Sequence, residues 1–529
     1  MSKKILTRRD LLKLMGLGAG SLTLAACGVT LPEAPAESTT AATASTETVA
    51  APSLAVDLTA ARGTVPILSG AETPVWRYQA ALRAGAPESL QTLKGSYLGP
   101  IFRVKRGQRI QVKLKNELSD PTIIHWHGLH IPEEMDGHPR YAIAPGETFD
   151  YDFTVRNRAG TYWFHPHPHQ LTGAQAYFGM AGLFIVSDDE ESGLGLPSGE
   201  YDLPLVIQDR LFDSANRLVY MTNMMDQMTG FVGDTILVNG RPNAALDVKA
   251  SAYRLRLLNG SNSRIYKLAW ADGSPLTVIA TDGGLLEAPV TRAYVMLAPG
   301  ERVELWVDFS AQKDARLVSL AFEAGTSGGM MSDGSNLPNG AAFDIAAFRV
   351  GAAGAAVSPL PARLSTMPRY RLEEAVNGKN PRSFTLTMQG MIHTINGRVF
   401  EMNAVASDEV VRLGDLEVWE FINREGGTGG GMGMGMGGMM NMEMPHPMHM
   451  HGVQFQVIER QVDDNFRGQY DQVSAGFVDE GWKDTVLVMP GEKVRVLVRF
   501  EDFTGTYLYH CHNLEHEDAG MMRNYRVDG

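Results

Sequence analysis

Cysteine is nearly absent from this chain, which has two cysteines among 529 residues. They are Cys27, close to the N-terminus, and Cys511, close to the C-terminus. Such a small number excludes a disulfide-rich scaffold, so the 44% of hydrophobic residues must supply the cores. Cys511 therefore needs another chemical role, and a metal thiolate is one that a single cysteine can fill.

Basic residues are also few. The chain has 47 Lys and Arg against 60 Asp and Glu, which gives a formal net charge of -13. Proteins that bind nucleic acid usually lean basic, so this balance argues against a nucleic-acid partner. An acidic surface is compatible with cationic substrates, although solubility is the simpler explanation.

Long apolar runs are missing after the N-terminal segment. That segment begins with lysines and the pair Arg8-Arg9, and an apolar stretch too short to span a bilayer follows at residues 14–26. The arginine pair resembles a twin-arginine export signal, and Leu24-Ala25-Ala26-Cys27 resembles a lipobox. We therefore predict a signal peptide over residues 1–27, export to the periplasm or the cell surface, and a lipid anchor on Cys27. Simple cleavage at this site is the alternative.

Helical periodicity is scarce in the rest of the chain, where short apolar runs alternate with Gly, Pro, Asn and Asp. Runs such as ERVELWVDF and EKVRVLVRF predict short strands, and a Pro-Gly-Glu turn precedes a strand in each of three blocks. We predict an all-β chain of three related Greek-key β-sandwich domains. The predicted domains are residues 59–190, 201–350 and 364–529, after a flexible Ala/Thr/Ser/Pro-rich linker at residues 28–58.

Histidine is the most informative residue type, because the 14 histidines are clustered. Four pairs are separated by a single residue: His125 and His127, His165 and His167, His449 and His451, and His510 and His512. Residues i and i+2 of a strand face the same side, so each pair offers two imidazoles to one point. Imidazole suits Cu, Zn, Fe and Ni, and eight imidazoles could hold a cluster of about three ions with positions left open for a substrate.

Further metal-binding side chains accompany these pairs, namely His446, Cys511, His516 and Met521. Two histidines, a thiolate and a weak axial methionine are the ligands of blue copper sites. On a strand Cys511 faces away from its two neighbouring histidines, so the His-Cys-His run can join a mononuclear site to a polynuclear one. We assign no metal role to the other histidines, His130, His138, His169 and His393, although His169 is an alternative to His165 or His167.

The motifs HWHG, HPH, HPMHMHG and HCHNLEHEDAGM resemble the copper signatures of the multicopper oxidases, and the likeness extends over essentially the whole chain after the signal. The resemblance implies three cupredoxin domains and four coppers per chain: one type 1, one type 2 and two type 3. It places type 1 copper on His446, Cys511, His516 and axial Met521, and type 2 copper on His125 and His449. It places the type 3 pair on His127, His165, His167, His451, His510 and His512. Pro166 departs from the Ser or Ala that the family often has there, but both neighbouring imidazoles remain.

The resemblance also implies a reaction, in which four one-electron oxidations are coupled to the reduction of O₂ to two waters. Protons must reach the oxygen, so carboxylic acids near the metal cluster are useful. Asp136 and Glu517 stand where the family often has such acids, near the type 2 copper and the type 3 pair respectively. We predict catalytic roles for both, with ordinary hydrogen-bonding carboxylates as the alternative.

Methionine is abundant, with 27 residues in the chain. Glycine-rich sequence excludes a helix at residues 426–445, and thioethers favour Cu(I), so we predict a Cu(I) substrate site at Met442, Glu443 and Met444. Met330, Met331 and Asp333 form a second candidate. Met221, Met224, Met225 and Met228 recur at helical spacing, which favours an amphipathic turn that packs its methionines on the core.

These features favour an exported oxidase that takes electrons from Cu(I), from phenols and aromatic amines, or from both, and that acts in copper tolerance. A laccase that oxidises phenols and aromatic amines is the first alternative. A copper-sequestering lipoprotein without turnover is a second, but the His-Cys-His bridge argues against it because storage needs no electron path. A two-domain nitrite reductase is a further alternative. Enzymes of that class lack an eight-histidine site, so the four histidine pairs argue against it. We expect a monomer whose partners are O₂ and either Cu(I) or small aromatic reductants.

Overall fold

The computed structural model describes residues 53–93, 95–311, 314–325, 336–389, 392–424 and 444–529. In these ranges no helix has the length and apolar character needed to cross a membrane. Several predicted features lie outside the described residues: the signal peptide with Cys27, most of the linker, Met330, Met331, Asp333, Met442, Glu443 and nearly all of the methionine-rich loop.

The first domain contains two sheets. Its strands are β1 (Leu54–Val65), β2 (Thr73–Ala84), β3 (Leu90–Gln91), β4 (Ile101–Lys105), β5 (Arg109–Asn116), β6 (Ile124–His125), β7 (Thr148–Thr154), β8 (Gly160–Pro166) and β9 (Gly182–Ser187). They are ordered β2-β1-β5-β7 in one sheet and β3-β4-β9-β8-β6 in the other. In β5 the apolar residues are buried while Lys113 and Lys115 are exposed, as a half-buried strand requires. The buried faces of the two sheets pack around Trp126.

The first strand begins earlier than the sequence analysis predicts. β1 starts at Leu54, so residues 54–58, assigned above to the flexible linker, belong to the first sheet. Leu54, Val56 and Leu58 alternate along the strand and are buried. The linker prediction was wrong for these residues because the small, polar composition before them masked the start of the alternating pattern.

The second domain also contains two sheets. Its strands are β10 (Asp202–Phe212), β11 (Leu218–Val219), β12 (Thr235–Val238), β13 (Arg241–Pro242), β14 (Ala244–Ala250), β15 (Ala252–Asn259), β16 (Tyr266–Trp270), β17 (Leu276–Thr281), β18 (Gly284–Arg292), β19 (Val295–Leu297), β20 (Arg302–Asp308), β21 (Asp314–Ser319) and β22 (Phe343–Ala353). One sheet is ordered β13-β12-β10-β15-β20-β17-β18, with β11 paired to β10, and the other β14-β22-β21-β16-β19.

The third domain repeats this plan. Its strands are β23 (Arg382–Gln389), β24 (Ile392–Ile395), β25 (Val410–Arg412), β26 (Leu416–Asn423), β27 (His446–Met450), β28 (Phe455–Val462), β29 (Thr485–Val488), β30 (Glu492–Arg499), β31 (Gly505–Cys511) and β32 (Met522–Asp528). The two sheets are ordered β24-β23-β26-β30-β28 and β25-β32-β31-β27-β29. Their buried faces form a core that includes Cys511 and Met521.

Helices are short and lie in the connections. The α-helices are α1 (Thr172–Tyr177), α2 (Asp189–Ser192), α3 (Met224–Thr229), α4 (Arg467–Asp471) and α5 (Leu514–Asp518). Single 3₁₀ turns lie at Pro87–Ser89, Glu133–Met135, Pro139–Tyr141, Gly199–Tyr201, Leu372–Glu374, Ser407–Glu409, Asp464–Phe466 and Ser474–Gly476. The small helical content agrees with the scarcity of helical periodicity in the sequence.

The three domains share a strand arrangement. Each sheet contains one parallel pair: β1 with β5 and β4 with β9, β10 with β15 and β14 with β22, and β23 with β26 and β25 with β32. A parallel neighbour requires the chain to cross over instead of turning straight back, which is how Greek-key sandwiches are connected. The prediction of an all-β chain of three Greek-key sandwiches is confirmed.

The repeated Pro-Gly-Glu turn has one geometry in all three domains. Gly146, Gly300 and Gly491 have φ values of +85°, +85° and +68°. The glutamate after each glycine accepts a hydrogen bond from the backbone N–H three residues before it, at 2.9, 2.7 and 2.7 Å. Glycine suits this turn because it adopts a positive φ without steric cost. The weak repetition in the sequence therefore corresponds to a repeated local structure.

Candidate metal centre

Four strand ends carry the paired histidines. His125 ends β6 and His165 lies near the end of β8, and these two residues are direct partners in the antiparallel register. His449 and His510 are partners in the same way between β27 and β31. The second histidine of each pair lies just beyond its strand. Strand register thus gathers the histidines of the first domain and, separately, those of the third.

The two groups of histidines meet in one buried cluster. All eight side chains are 0% exposed. The Nε2 atoms of His125 and His449 lie 3.3 Å apart, those of His451 and His510 lie 3.1 Å apart, and those of His167 and His510 lie 3.4 Å apart. The first and last of these contacts join a histidine of the first domain to a histidine of the third domain. The second contact lies within the third domain. Three sets of histidines can each surround an ion: His125, His127 and His165; His125, His449 and His451; and His167, His451 and His510.

Backbone carbonyl groups orient several of these rings. The Nδ1 atoms of His125, His165, His449 and His510 lie 2.7–3.0 Å from the carbonyl oxygens of Asp136, Pro166, Asp484 and Cys511 respectively. A carbonyl can only accept, so Nδ1 carries the proton and the Nε2 lone pair points into the cluster. This is the tautomer that a metal ligand requires.

His127 is oriented the other way round. Its Nε2 atom lies 3.0 Å from Oδ1 of Asp484, so Nε2 donates to the carboxylate. Its Nδ1 atom is buried and has no hydrogen-bond partner among the described residues. His127 therefore offers Nδ1 to a metal, while its neighbours offer Nε2.

Two properties of the cluster histidines are those expected of metal ligands: some ring nitrogens lack a hydrogen-bond partner among the described residues, and the imidazoles have low pKa values. Nε2 of His165 and both ring nitrogens of His512 are buried and have no hydrogen-bond partner within the described part of the chain. A buried polar atom without a partner is costly, and a bound ion removes the cost. Burial, reinforced by the neighbouring imidazoles, lowers the pKa well below the ordinary value at His127, His165, His167, His449, His451 and His512. These imidazoles are therefore neutral, which is the form that binds copper.

A second, smaller group lies inside the third domain. Sγ of Cys511 is 3.4 Å from Nδ1 of His446 and 3.7 Å from Nδ1 of His516, and the two nitrogens are 3.3 Å apart. The centre of such a triangle is about 2 Å from each atom, close to the length of a metal–nitrogen bond. Met521 is 0% exposed. Its backbone bonds to both ligand segments, through Cys511 N–H at 3.0 Å and His516 C=O at 2.8 Å.

Cys511 connects the two groups covalently. Its sulfur joins the small group, while the adjacent His510 and His512 lie in the eight-histidine cluster, with His510 next to His451 and His512 next to His127. The alternation of side chains along a strand predicts this arrangement.

The two predicted acids touch the cluster. Oδ2 of Asp136 lies 2.7 Å from Nδ1 of His451, and burial raises the pKa of this carboxyl above its ordinary value. Glu517 is 2% exposed, with its oxygens 3.2 Å from Nδ1 of His510 and 3.5 Å from Nε2 of His167. Both carboxyl groups are therefore within proton-transfer reach of cluster imidazoles.

Asp484 is a site residue that sequence reasoning missed. It contacts His127 by its side chain and His449 by its carbonyl, and Arg302 of the second domain holds it with bonds of 2.7 and 2.5 Å. All three domains therefore contribute to the cluster. The available signal was a charged pair, Lys483-Asp484, directly before the mainly apolar strand β29.

His393 is also close to the small group. The sequence analysis gives it no metal role, yet its ring stacks on that of His516 with centroids 3.8 Å apart, and it can share an ion with His446 and His516. The sequence around it contains no second histidine or cysteine, and its burial on β24 is seen only in the structure. The other three histidines have different neighbours: His130 contacts Asp502, His138 contacts Asn524, and His169 is exposed beside Phe400.

The methionines that the sequence analysis singles out, and that the structure describes, differ in burial. Met444, predicted to contact Cu(I), is 7% exposed, so it lies beneath the surface two residues before His446. The amphipathic turn buries Met228 at 3% exposed, as predicted, but the prediction was wrong for Met224, which is 65% exposed.

Comparisons with known proteins agree with this geometry. Three multicopper oxidase family models match residues 75–191, 206–328 and 375–529. The multicopper oxidase mco of Staphylococcus haemolyticus is 34% identical over 437 residues, which are 82% of this chain and 83% of that protein. A laccase of Bacillus stratosphericus is 32% identical over 83% of this chain and 90% of its own length.

A solved structure extends the likeness to the fold. The 2F4 variant of the multicopper oxidase McoA from Aquifex aeolicus superimposes with a TM-score of 0.74 at 35% identity, over 90% of this chain and 96% of that one. The three sandwiches are accordingly of the cupredoxin type. Since these relatives exceed 30% identity over most of the chain, this protein belongs to the multicopper oxidase family, whose members bind copper and couple the oxidation of a substrate to the reduction of O₂.

Proposed function

We propose that this enzyme holds four coppers and takes its electrons from Cu(I) or another small donor. His446, Cys511, His516 and Met521 would hold type 1 copper. His125 and His449 would hold type 2 copper. The remaining six histidines of the cluster, His127, His165, His167, His451, His510 and His512, would hold the type 3 pair. The observation that carries the proposal is the covalent link from Cys511 to His510 and His512.

Bound copper supplies reversible one-electron transfer and the reduction of O₂. The first contribution of the protein is to hold the two groups close together. The backbone of residues 510–512 joins the two groups through a few covalent bonds, so electrons need not cross a gap between side chains. Burial of all the ligands excludes water from both groups.

Proton supply falls to Asp136 and Glu517. Reduction of O₂ to two waters consumes four protons, and these buried carboxyl groups contact imidazoles on two sides of the cluster. The raised pKa of Asp136 keeps its proton available at higher pH than an exposed aspartate would. We assign both residues as catalytic acids.

We propose a small reductant because the rings of the two histidines in the Cys511 group are not accessible from solvent. His446 and His516 are 0% exposed, so a bulky phenol cannot touch either ring in this structure. The methionine-rich segment ends in the sequence directly before His446, and thioethers bind Cu(I). Met444 is buried, and we propose that it binds Cu(I) together with Met442 and Glu443, which precede it in the sequence.

A laccase acting mainly on phenols is the second candidate, favoured by the laccase of B. stratosphericus among the relatives. Copper sequestration without turnover is disfavoured, because storage does not require a connection between two copper sites. A role in copper tolerance follows if Cu(I) is the reductant. We further propose that the enzyme is a monomer exported through its twin-arginine signal, with Cys27 as a lipid anchor.

Oxygen uptake by the copper-loaded enzyme tests the proposal. Cu(I) and a substituted phenol are supplied separately, and copper per chain is determined for each sample. We expect about four coppers and faster uptake with Cu(I). Faster uptake with the phenol would make the enzyme a laccase first, and no uptake with either donor would favour storage. Deleting residues 428–442 should lower turnover of Cu(I) and spare or raise that of the phenol; an equal loss of both would remove the loop from substrate choice.

A further inference from the structure

A segment of the second domain lies directly on His516. This segment, here called the cover (residues 221–230), contains helix α3. The carbonyl oxygen of Met228 accepts hydrogen bonds from Nε2 of His516 at 3.1 Å and from Nε2 of His393 at 2.9 Å. Because Nδ1 of His516 faces Cys511, the cover closes the opposite edge of the ring, which is the edge that points away from the ligand group.

Other groups close the remaining approaches to this ring. His393 stacks on one face with an interplanar angle of 24°. Asn513 places Nδ2 at 3.2 Å from the same Nε2 atom. His516 is consequently 0% exposed, and of these neighbours only the cover comes from a different domain.

The cover is fastened at both ends to one carboxylate. The hydroxyl of Tyr220 donates to Oε1 of Glu515 at 2.8 Å, and the backbone N–H of Phe231 donates to Oε2 at 3.0 Å. Glu515 is the residue before His516. The ten residues between these two anchors thus form a loop with close ends, of the size of an Ω-loop.

Inside the loop a capping box holds α3 together. Oδ1 of Asn223 accepts from Met225 N–H at 2.7 Å, and Oδ2 of Asp226 accepts from Asn223 N–H at 3.1 Å. Gly230 ends the helix at φ +84°, and a Cβ there would lie 2.3 Å from Nδ2 of Asn513. The chain therefore needs glycine at this point to reach the ring so closely.

We propose that the cover sets the specificity of the enzyme for its reductant. Closed, it lies between His516 and solvent, so that a donor needing no contact with the ring can pass an electron through the Met228 carbonyl and its hydrogen bond. A bulky phenol reaches the ring only after the cover opens. In each case the donor loses one electron to the type 1 copper, and O₂ is the final acceptor. The inference rests on the proposed function, because it takes His516 as the ligand that receives electrons.

Weakening the capping box tests this without touching a ligand. Asn223→Ala removes the cap, which shifts a helix equilibrium by roughly threefold to thirtyfold. We expect kcat/KM for 2,6-dimethoxyphenol to rise within that range and kcat/KM for ferrocyanide, an outer-sphere donor that needs no contact with the ring, to change less than twofold. Gln227→Ala, on the exposed side of the same helix, is the matched control and should change neither value.

The ratio of the two kcat/KM values decides the result. An unchanged ratio in Asn223→Ala, with wild-type copper content and type 1 absorption, would overturn the inference. Asp226→Asn is a second variant of the same capping box in case Asn223→Ala is poorly folded, and it should shift the ratio in the same direction. Failure of the proposed function is distinct, because the wild type would then show no oxygen uptake with either donor.

Discussion

The eight-histidine cluster and the Cys511 group are built on different principles, although Cys511 directly adjoins His510 and His512 in the sequence. The cluster takes half of its histidines from the first domain and half from the third, and Arg302 of the second domain braces it through Asp484. The ligands of the smaller group all come from the third domain, within residues 446–521. Integrity of the cluster therefore depends on how the domains dock, whereas the smaller group depends on one sandwich and its loops.

Cys511→Ser is expected to have the largest effect and to separate the two regions cleanly. Serine keeps the size of the side chain but removes the thiolate, so type 1 absorption should vanish and oxygen uptake should fall to background. About three of about four coppers should remain, because the histidines are unchanged. Absorption spectra and copper analysis check this, and loss of all copper would show that the cluster depends on the smaller group.

Glu517→Gln should impair the cluster's chemistry while leaving both regions assembled. The amide has the same shape but cannot supply a proton, and loss of a general acid lowers kcat by roughly 10²- to 10⁴-fold. Copper content and type 1 absorption should match the wild type. A kcat within a factor of two of the wild type would remove Glu517 from proton delivery and leave Asp136 as the remaining candidate.

Arg302→Met should destabilise the cluster, because it removes a contact between the second domain and Asp484 of the third domain. Asp484 would keep a buried charge without its partner, which costs about 3–5 kcal/mol of unfolding free energy. We expect copper loss from the cluster before loss of type 1 absorption. Arg316→Met, in an exposed ion pair with side chains 59% and 64% exposed, is the control and should change stability by less than about 1 kcal/mol. Equal destabilisation by both variants would contradict the bracing role of Arg302.

Gly300→Ala should have the smallest effect on activity of these four variants. It tests how tightly His512 of the cluster is packed. A Cβ at Gly300 would lie 3.0 Å from the His512 ring, whereas at Gly146, with the same φ of +85°, no described atom would lie within 4 Å. Both alanines bear a backbone cost of about 1 kcal/mol, so Gly146→Ala is a matched control. Only Gly300→Ala should lower kcat, severalfold, which is less than the roughly hundredfold loss that a 1 Å misplacement can cause. Equal kcat values in the two variants would show that His512 tolerates the added methyl group.

Local patterns predicted much of the architecture. The Pro-Gly-Glu turn and the alternating runs indicated three sandwiches, and the structure contains them. The boundary before β1 was missed by a few residues, because composition changes more gradually there than structure does. The spacing of the histidines indicated which side chains point the same way, since strand geometry has a period of two.

The sequence by itself determined which metal-binding side chains occur, how the histidines are paired and the bridge at Cys511, because each follows from residues one or two positions apart on a strand. Only the tertiary structure decided that Asp484 and Arg302 brace the cluster and that Met228 and His393 close His516. These contacts join residues 123 to 357 positions apart, in pairs such as His127 with Asp484, His393 with His516 and Met228 with His516. No local periodicity encodes them, since they exist only after three separately folded sandwiches have docked.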